Sequence, residues 1–224
     1  MTPEALGLPF GAVLRPAFLS ALLVLGCSSG DKPVPFDDGK GTPPTATAGA
    51  RLDYPAPPFG ATQGATIANF EFLGWSNPKT AAFDTTHLET HSLAEFYDPT
   101  GEKGVQYLMI TSTAVWCSAC KSEYQEMAPK VATYEARGAR FMGALFEDND
   151  SNPARPSDLA TWAKTYAVTF PFMLDPGFSM GAFFAEQATP MVMIVDTHDM
   201  SILTLEENGN LASVWAFLDQ NLKP

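Results

Sequence analysis

The chain has 224 residues, 46% of them hydrophobic and 17% charged, with 13 basic side chains against 25 acidic ones and a formal charge of −12. That is enough chain for one ordinary domain with a tail and a sizeable core, and the acidic balance argues against a nucleic-acid surface, which needs a cationic excess. A solenoid is excluded by the lack of a fixed repeat, a bilayer span after residue 30 by the lack of any apolar run of roughly 18–20 residues, and a disulfide-dense scaffold by a count of only 3 cysteines.

The N-terminal residues read as an address. Arg15 precedes the apolar stretch Ala17 to Leu25, and Gly26-Cys27 follows. A positive flank, a short apolar segment and a small residue at its end make a secretory signal over residues 1–26. The ending Leu23-Val24-Leu25-Gly26-Cys27 resembles the bacterial lipobox. That resemblance implies acylation of Cys27 and a lipoprotein of the bacterial cell envelope, and Ser28 after the cysteine points to the outer membrane. Residues 27–66 are rich in Gly, Pro, Ala and Thr, a composition that cannot offset its ordering entropy, and they read as a tether. Within them Tyr54 to Gly60 contains two aromatics and could instead lie along the domain as extended chain.

Residues 67–224 read as the folded domain. Ile67 to Trp75 suits a short strand, Leu93 to Tyr97 a helical turn, and Val105 to Ile110 a strand buried on both faces. A helical pattern over 118–136 carries Tyr124, Met127, Val131 and Tyr134 on one side, with Gly138 as its end. Arg140 to Phe146 is a second buried strand, and Ser157 or Asp158 can cap a helix through Leu159, Trp162 and Tyr166. Phe170 to Leu174, Met191 to Val195 and Ser201 to Leu205 read as strands, with a helix to about Phe184 between the first two. Leu211, Val214, Trp215 and Leu218 close the chain as an amphipathic helix. Strands alternating with helices, then a hairpin and a last helix, predict an α/β fold with a mixed sheet between helices.

Cys117 and Cys120 stand where the apolar strand gives way to the helix. A sulfur at a helix N-terminus faces unpaired N–H groups and the positive end of the dipole, so its thiolate is favoured, and the thiolate attacks a disulfide. Cys117 is expected as the exposed nucleophile and Cys120, one turn deeper, as the buried resolving thiol, with Trp116 shielding one side. Zinc would need four ligands, and His87, His91 and His198 lie far off in sequence. No metal is expected, and no cofactor beyond the redox-active pair. A bridge closing so short a loop constrains the unfolded chain little, which disfavours a purely structural disulfide.

Residues 67–222 resemble the thioredoxin superfamily, in particular the exported TlpA-like thioredoxins and the redoxins. Trp116-Cys117-Ser118-Ala119-Cys120, Ala188-Thr189-Pro190 opening a strand, the upstream segment Asn69 to Phe72 with Leu93 to Tyr97, and the inserted helix and strand over 157–174 carry the likeness. It implies a thioredoxin-like fold with an N-terminal extension and a helix–strand insertion. It also implies a cis Pro190 beside the cysteines, and a Thr189 backbone that hydrogen-bonds an extended substrate. The expected activity is thiol–disulfide exchange with protein or peptide disulfides and a redox partner protein in the periplasm, the membrane being reached only through the lipid. Where thioredoxins carry a buried acid six residues before the first cysteine, this chain has Thr111, leaving Glu71 or Glu147 as candidates for that role. Two other functions share the fold. A peroxiredoxin-type peroxidase wants a threonine three residues before its cysteine, whereas Thr113 is four before Cys117. Sco-type copper delivery wants a wider cysteine spacing and a histidine.

Overall fold

Apolar runs bounded by turns become adjacent strands of one sheet. The computed structural model describes residues 54–223; the expected signal segment and Cys27 lie outside them, as does most of the expected tether. The strands are β1 (Glu71–Trp75), β2 (Glu89–Ser92), β3 (Tyr107–Ala114), β4 (Ala139–Glu147), β5 (Phe172–Leu174), β6 (Met191–Asp196) and β7 (Ile202–Glu207). They form a sheet of order β2-β1-β5-β4-β3-β6-β7. β3, β4 and β5 are mutually parallel, and β1, β2, β6 and β7 join antiparallel. β3, β4 and β6 are almost wholly buried, as befits strands covered on both faces.

The helices are α1 (Ser118–Met127), α2 (Val131–Ala136), α3 (Pro156–Thr165) and α4 (Leu211–Asn221). They are joined laterally by aromatic contacts. Tyr124 of α1 meets Trp162 of α3 at 5.3 Å between ring centroids, and Tyr134 of α2 stacks on Trp215 of α4 at 5.0 Å. Short 3-10 turns at Leu93–Glu95, Ser179–Ala182 and Glu186–Ala188 supply the rest of the helical cover.

Three local expectations need correction. The helix expected over 118–136 is two helices, because Pro129 has no N–H to donate and its ring clashes with the preceding turn. The helix cap is not Ser157 or Asp158. Arg155 is the N-cap, Pro156 takes the first helical position, and Asp158 reaches back to the Arg155 N–H at 2.9 Å. The stretch expected as a helix to Phe184 is only the single 3-10 turn Ser179–Ala182, which Asp175 caps through the N–H groups of Ser179 and Met180.

Residues 54–66 pack on the domain. The Tyr54 hydroxyl donates to the Ile67 carbonyl at 2.8 Å, and Gly64 N–H to the Ile202 carbonyl, also at 2.8 Å. The two aromatics of this segment, Tyr54 and Phe59, meet each other, and Tyr54 meets Tyr97.

Candidate active site

The site forms where β3 ends and α1 begins, at the edge of the parallel part of the sheet. Cys117 is the N-cap of α1 and has extended backbone angles. Its Sγ accepts the Cys120 N–H at 3.0 Å, so the sulfur itself occupies the capping position that an Asp or Ser oxygen usually fills. The backbone N–H favours negative charge on that sulfur, as does the helix dipole. Cys117 and Cys120 are joined as a disulfide with their Cα atoms 5.3 Å apart.

Cys120 is fully buried, as expected. Cys117 was expected to be exposed, yet only 3% of its surface meets solvent. Neighbouring segments close over it. Thr189 O lies 3.8 Å from Cys117 Sγ, and the turn at Gly209 packs against Pro190 and Ala119. The Thr189–Pro190 bond is cis. Of the Thr189 backbone expected to meet a substrate, the N–H donates to the Glu186 carbonyl at 3.2 Å, and the Thr189 hydroxyl donates to the same oxygen at 2.6 Å. Its carbonyl is the part of the Thr189 peptide that faces the redox pair.

Trp116 lies beside the pair, and its indole N–H donates to Glu147 Oε2 at 2.6 Å. Glu147, one of the two candidates for the missing acid, is therefore held at the rim by the tryptophan. Glu71, the other, is exposed on β1.

The buried acid comes from a residue that the sequence reading passed over. Glu123, three residues after Cys120 on α1, is 3% exposed, and one carboxyl oxygen accepts the hydroxyl of Thr111. Thr111 thus stands at the strand position where thioredoxins carry an acid, and holds an acid presented from the helix. Burial pushes the Glu123 carboxyl up to about 8, the Thr111 hydrogen bond opposing it and the Glu126 charge reinforcing it. The signal was present in the sequence. Cys120, Glu123, Tyr124 and Met127 share the inward stripe of α1, and a carboxylate in such a stripe needs a reason.

The remaining sequence candidates are ordinary. His198 is bonded through Nδ1 to Asp196 at 2.9 Å in its turn, and Asp148 caps the N–H groups of Asp150 and Asn152. Among the described residues no three His, Cys, Asp or Glu side chains are grouped to hold a metal ion, and no helix is long and apolar enough to cross a membrane.

Comparison with known proteins agrees with this architecture. No curated protein sequence matches the chain. Among solved structures, a protein described as thiol:disulfide interchange protein DsbE, from Chlorobium tepidum, superposes with a TM-score of 0.53 at 18% identity, over 71% of this chain and 94% of its own. A reduced 2-Cys peroxiredoxin of Plasmodium vivax gives 0.52 at 11% identity, over 70% and 94%. At these identities the likeness is one of fold. The family model described as AhpC/TSA matches residues 69–200, well over half the chain, from the segment before β1 to the turn before β7. With the redox pair at the start of α1, the chain therefore belongs to the AhpC/TSA family, the redoxins of the thioredoxin superfamily, and is a thioredoxin-like oxidoreductase.

Proposed function

We propose that the protein exchanges its Cys117–Cys120 dithiol and disulfide with disulfides of other proteins in the cell envelope of a bacterium. One observation carries the reading: Cys117 Sγ caps α1 while Cys120 is enclosed one turn deeper beside a buried acid. In the reducing direction the Cys117 thiolate attacks a substrate sulfur, the substrate S–S bond breaks, and the departing thiolate takes up a proton. Cys120 then gives its proton to the Glu123 carboxylate and attacks Cys117 Sγ, breaking its bond to the substrate sulfur, which leaves as a thiolate and takes up a proton. Two electrons pass from the dithiol to the substrate, and a partner dithiol protein must return them. The oxidising direction is the same path reversed, with Glu123 as the acid.

Export and a lipid anchor at Cys27 are part of the proposal, supported by the apolar segment before that cysteine. With a charge of −12, contact with anionic headgroups is unfavourable, so the acyl chains would carry the attachment. The pair needs no further cofactor.

The test is insulin-disulfide reduction by the full chain and by Cys117→Ser. Activity in the first and none in the second is the expected result; retained activity in the variant sinks the assignment. A peroxidase is the reading to compare, because the family match alone accommodates it. Ala114, not a threonine, stands three residues before Cys117, and a tryptophan precedes the sulfur. Stoichiometric peroxide consumption at Cys117 without turnover of protein disulfides would favour the peroxidase.

A further inference from the structure

The carboxyl of Glu123 has one oxygen bonded to Thr111 and a second, Oε2, that is shut off from solvent with no partner among the described residues. Three more polar atoms in this part of the core share that condition: the hydroxyls of Tyr124 and Thr113, and the indole N–H of Trp162, whose ring meets that of Tyr124. Their positions follow from the register. Thr111 pairs with Gly143 across β3 and β4, and a methyl group on Gly143 would run into the Tyr124 hydroxyl. The phenol oxygen therefore lies over the strand next to the residue that holds the acid, adjacent strands being about 4.8 Å apart. Thr113 is on the same face of β3 as Thr111, two residues nearer the redox end. Because α1 follows β3 and Glu123 lies against Thr111, Cys120 and Thr113 both lie on the redox side of the acid.

We propose that Tyr124 and Thr113 are positioning residues for the proton that Cys120 exchanges with Glu123, joined to Glu123 Oε2 through bound water. Such polar atoms are rarely left unpaired in a folded protein, and a water between Glu123 Oε2 and each hydroxyl in turn would satisfy both of its neighbours. Tyr124 has little other use for its hydroxyl. Its ring is enclosed by Trp162, Tyr166, Phe170 and Phe172, none closer than 5.3 Å between centroids, and phenylalanine would fill that apolar cage equally well.

The charged and titratable surroundings leave the hydroxyls as the groups able to stabilise the carboxylate. On α1, Glu126 is turned to Lys130 and Trp215 at 2.7 Å each, and Lys121 makes no ion pair among the described residues. β3 contributes the two threonines and β4 contributes Gly143. The α3 side brings Trp162 and Tyr166, both against the Tyr124 ring. No lysine or arginine pairs with Glu123 among the described residues.

This inference rests on the proposed exchange, and one experiment separates the two. The reduced full chain is mixed with a chromogenic aryl disulfide across the pH range. Cys117 attacks and releases one coloured thiolate. Cys120 then loses its proton to Glu123, attacks Cys117 Sγ and expels the second thiolate with the bond's electron pair. In Tyr124→Phe the first phase should be unchanged, while the second slows about tenfold near neutrality and its midpoint moves about one pH unit upward, the loss expected for one hydrogen bond to a charged group. Thr113→Val should slow the same phase. A second phase with the wild-type pH profile in both variants overturns the proposal, even if either variant melts at lower temperature. Absence of a second phase in the wild-type protein would instead overturn the exchange mechanism.

Discussion

Trp116 and Glu147 tie the redox helix to the far end of the neighbouring strand. The indole N–H donates to Glu147 Oε2 at 2.6 Å, the Val115 N–H donates to the Glu147 carbonyl at 3.0 Å, and the Trp116 ring meets Phe146 edge-on at 6.4 Å. One residue at the end of β4 thereby fixes both the backbone and the side chain that precede Cys117. These contacts hold Trp116 in place beside the disulfide.

Replacing Glu147 with alanine should free Trp116. Hydrogen bonds to charged groups contribute about 1.5–3 kcal/mol, so a loss toward the lower end of that range is expected for this partly buried pair. Urea unfolding measures it. The rate at which a small phosphine reduces the Cys117–Cys120 bond should rise in the same variant, because Cys117 gains exposure. An unchanged phosphine rate would show that Trp116 is not what covers the sulfur.

Cys120→Ser should separate attack from release. Cys117 remains the cap of α1 and retains its attack, whereas the resolving sulfur is gone. Incubation with a protein disulfide should accumulate a mixed disulfide through Cys117, visible as an added mass that a reductant removes. Failure to trap any adduct at Cys117 contradicts the assigned order of attack.

Stability should fall as pH rises through the weakly acidic and neutral range. Burial raises Glu123 from 4.5 to about 8 and Asp175 from 3.8 to about 6. Between each ordinary value and each raised value the folded protein keeps a proton that the unfolded chain has released. The unfolded state then binds fewer protons, so unfolding becomes easier with increasing pH, and the decline ends above about pH 8. The two shifts together bound the loss at about 8 kcal/mol. Glu123→Gln keeps an acceptor for Thr111 but cannot ionise. It should remain as stable near pH 8 as near pH 5 apart from the Asp175 contribution, and it should exchange disulfides slowly. Urea midpoints for the two proteins across this range provide the check.

Gly143→Ala should be among the most harmful methyl additions. The new carbon would strike the Tyr124 hydroxyl and come within 2.7 Å of the Phe172 ring, and both rings sit in a packed aromatic cluster. Overpacking of this kind costs about 1–3 kcal/mol. Thermal unfolding should register it, and the double variant Gly143→Ala with Tyr124→Phe should recover part of the loss.

Periodicity and punctuation carried much of the fold. The runs at Val105–Ile110, Arg140–Phe146 and Met191–Val195 became β3, β4 and β6, and the stripe Leu211, Val214, Trp215, Leu218 became the inner face of α4. Their boundaries moved where backbone chemistry overrode pattern. Pro129 broke a helix whose apolar stripe runs straight across it, and Pro156 moved a helix start ahead of the side chains best suited to cap it.

The local chain alone placed the cysteine pair at a strand-to-helix junction, where the helix terminus favours a thiolate on the first sulfur. The burial of Cys117 and the place of the acid were decided only in three dimensions. Residues 72 and 92 positions further along the chain, Thr189 and Gly209, close over the sulfur or over Pro190 beside it. The resemblance to thioredoxins points to an acid on the strand, whereas the inward stripe of α1 carries it as Glu123. The packing of α1 along β3 sets Glu123 against Thr111, and through-space proximity, not chain separation, governs desolvation and proton transfer.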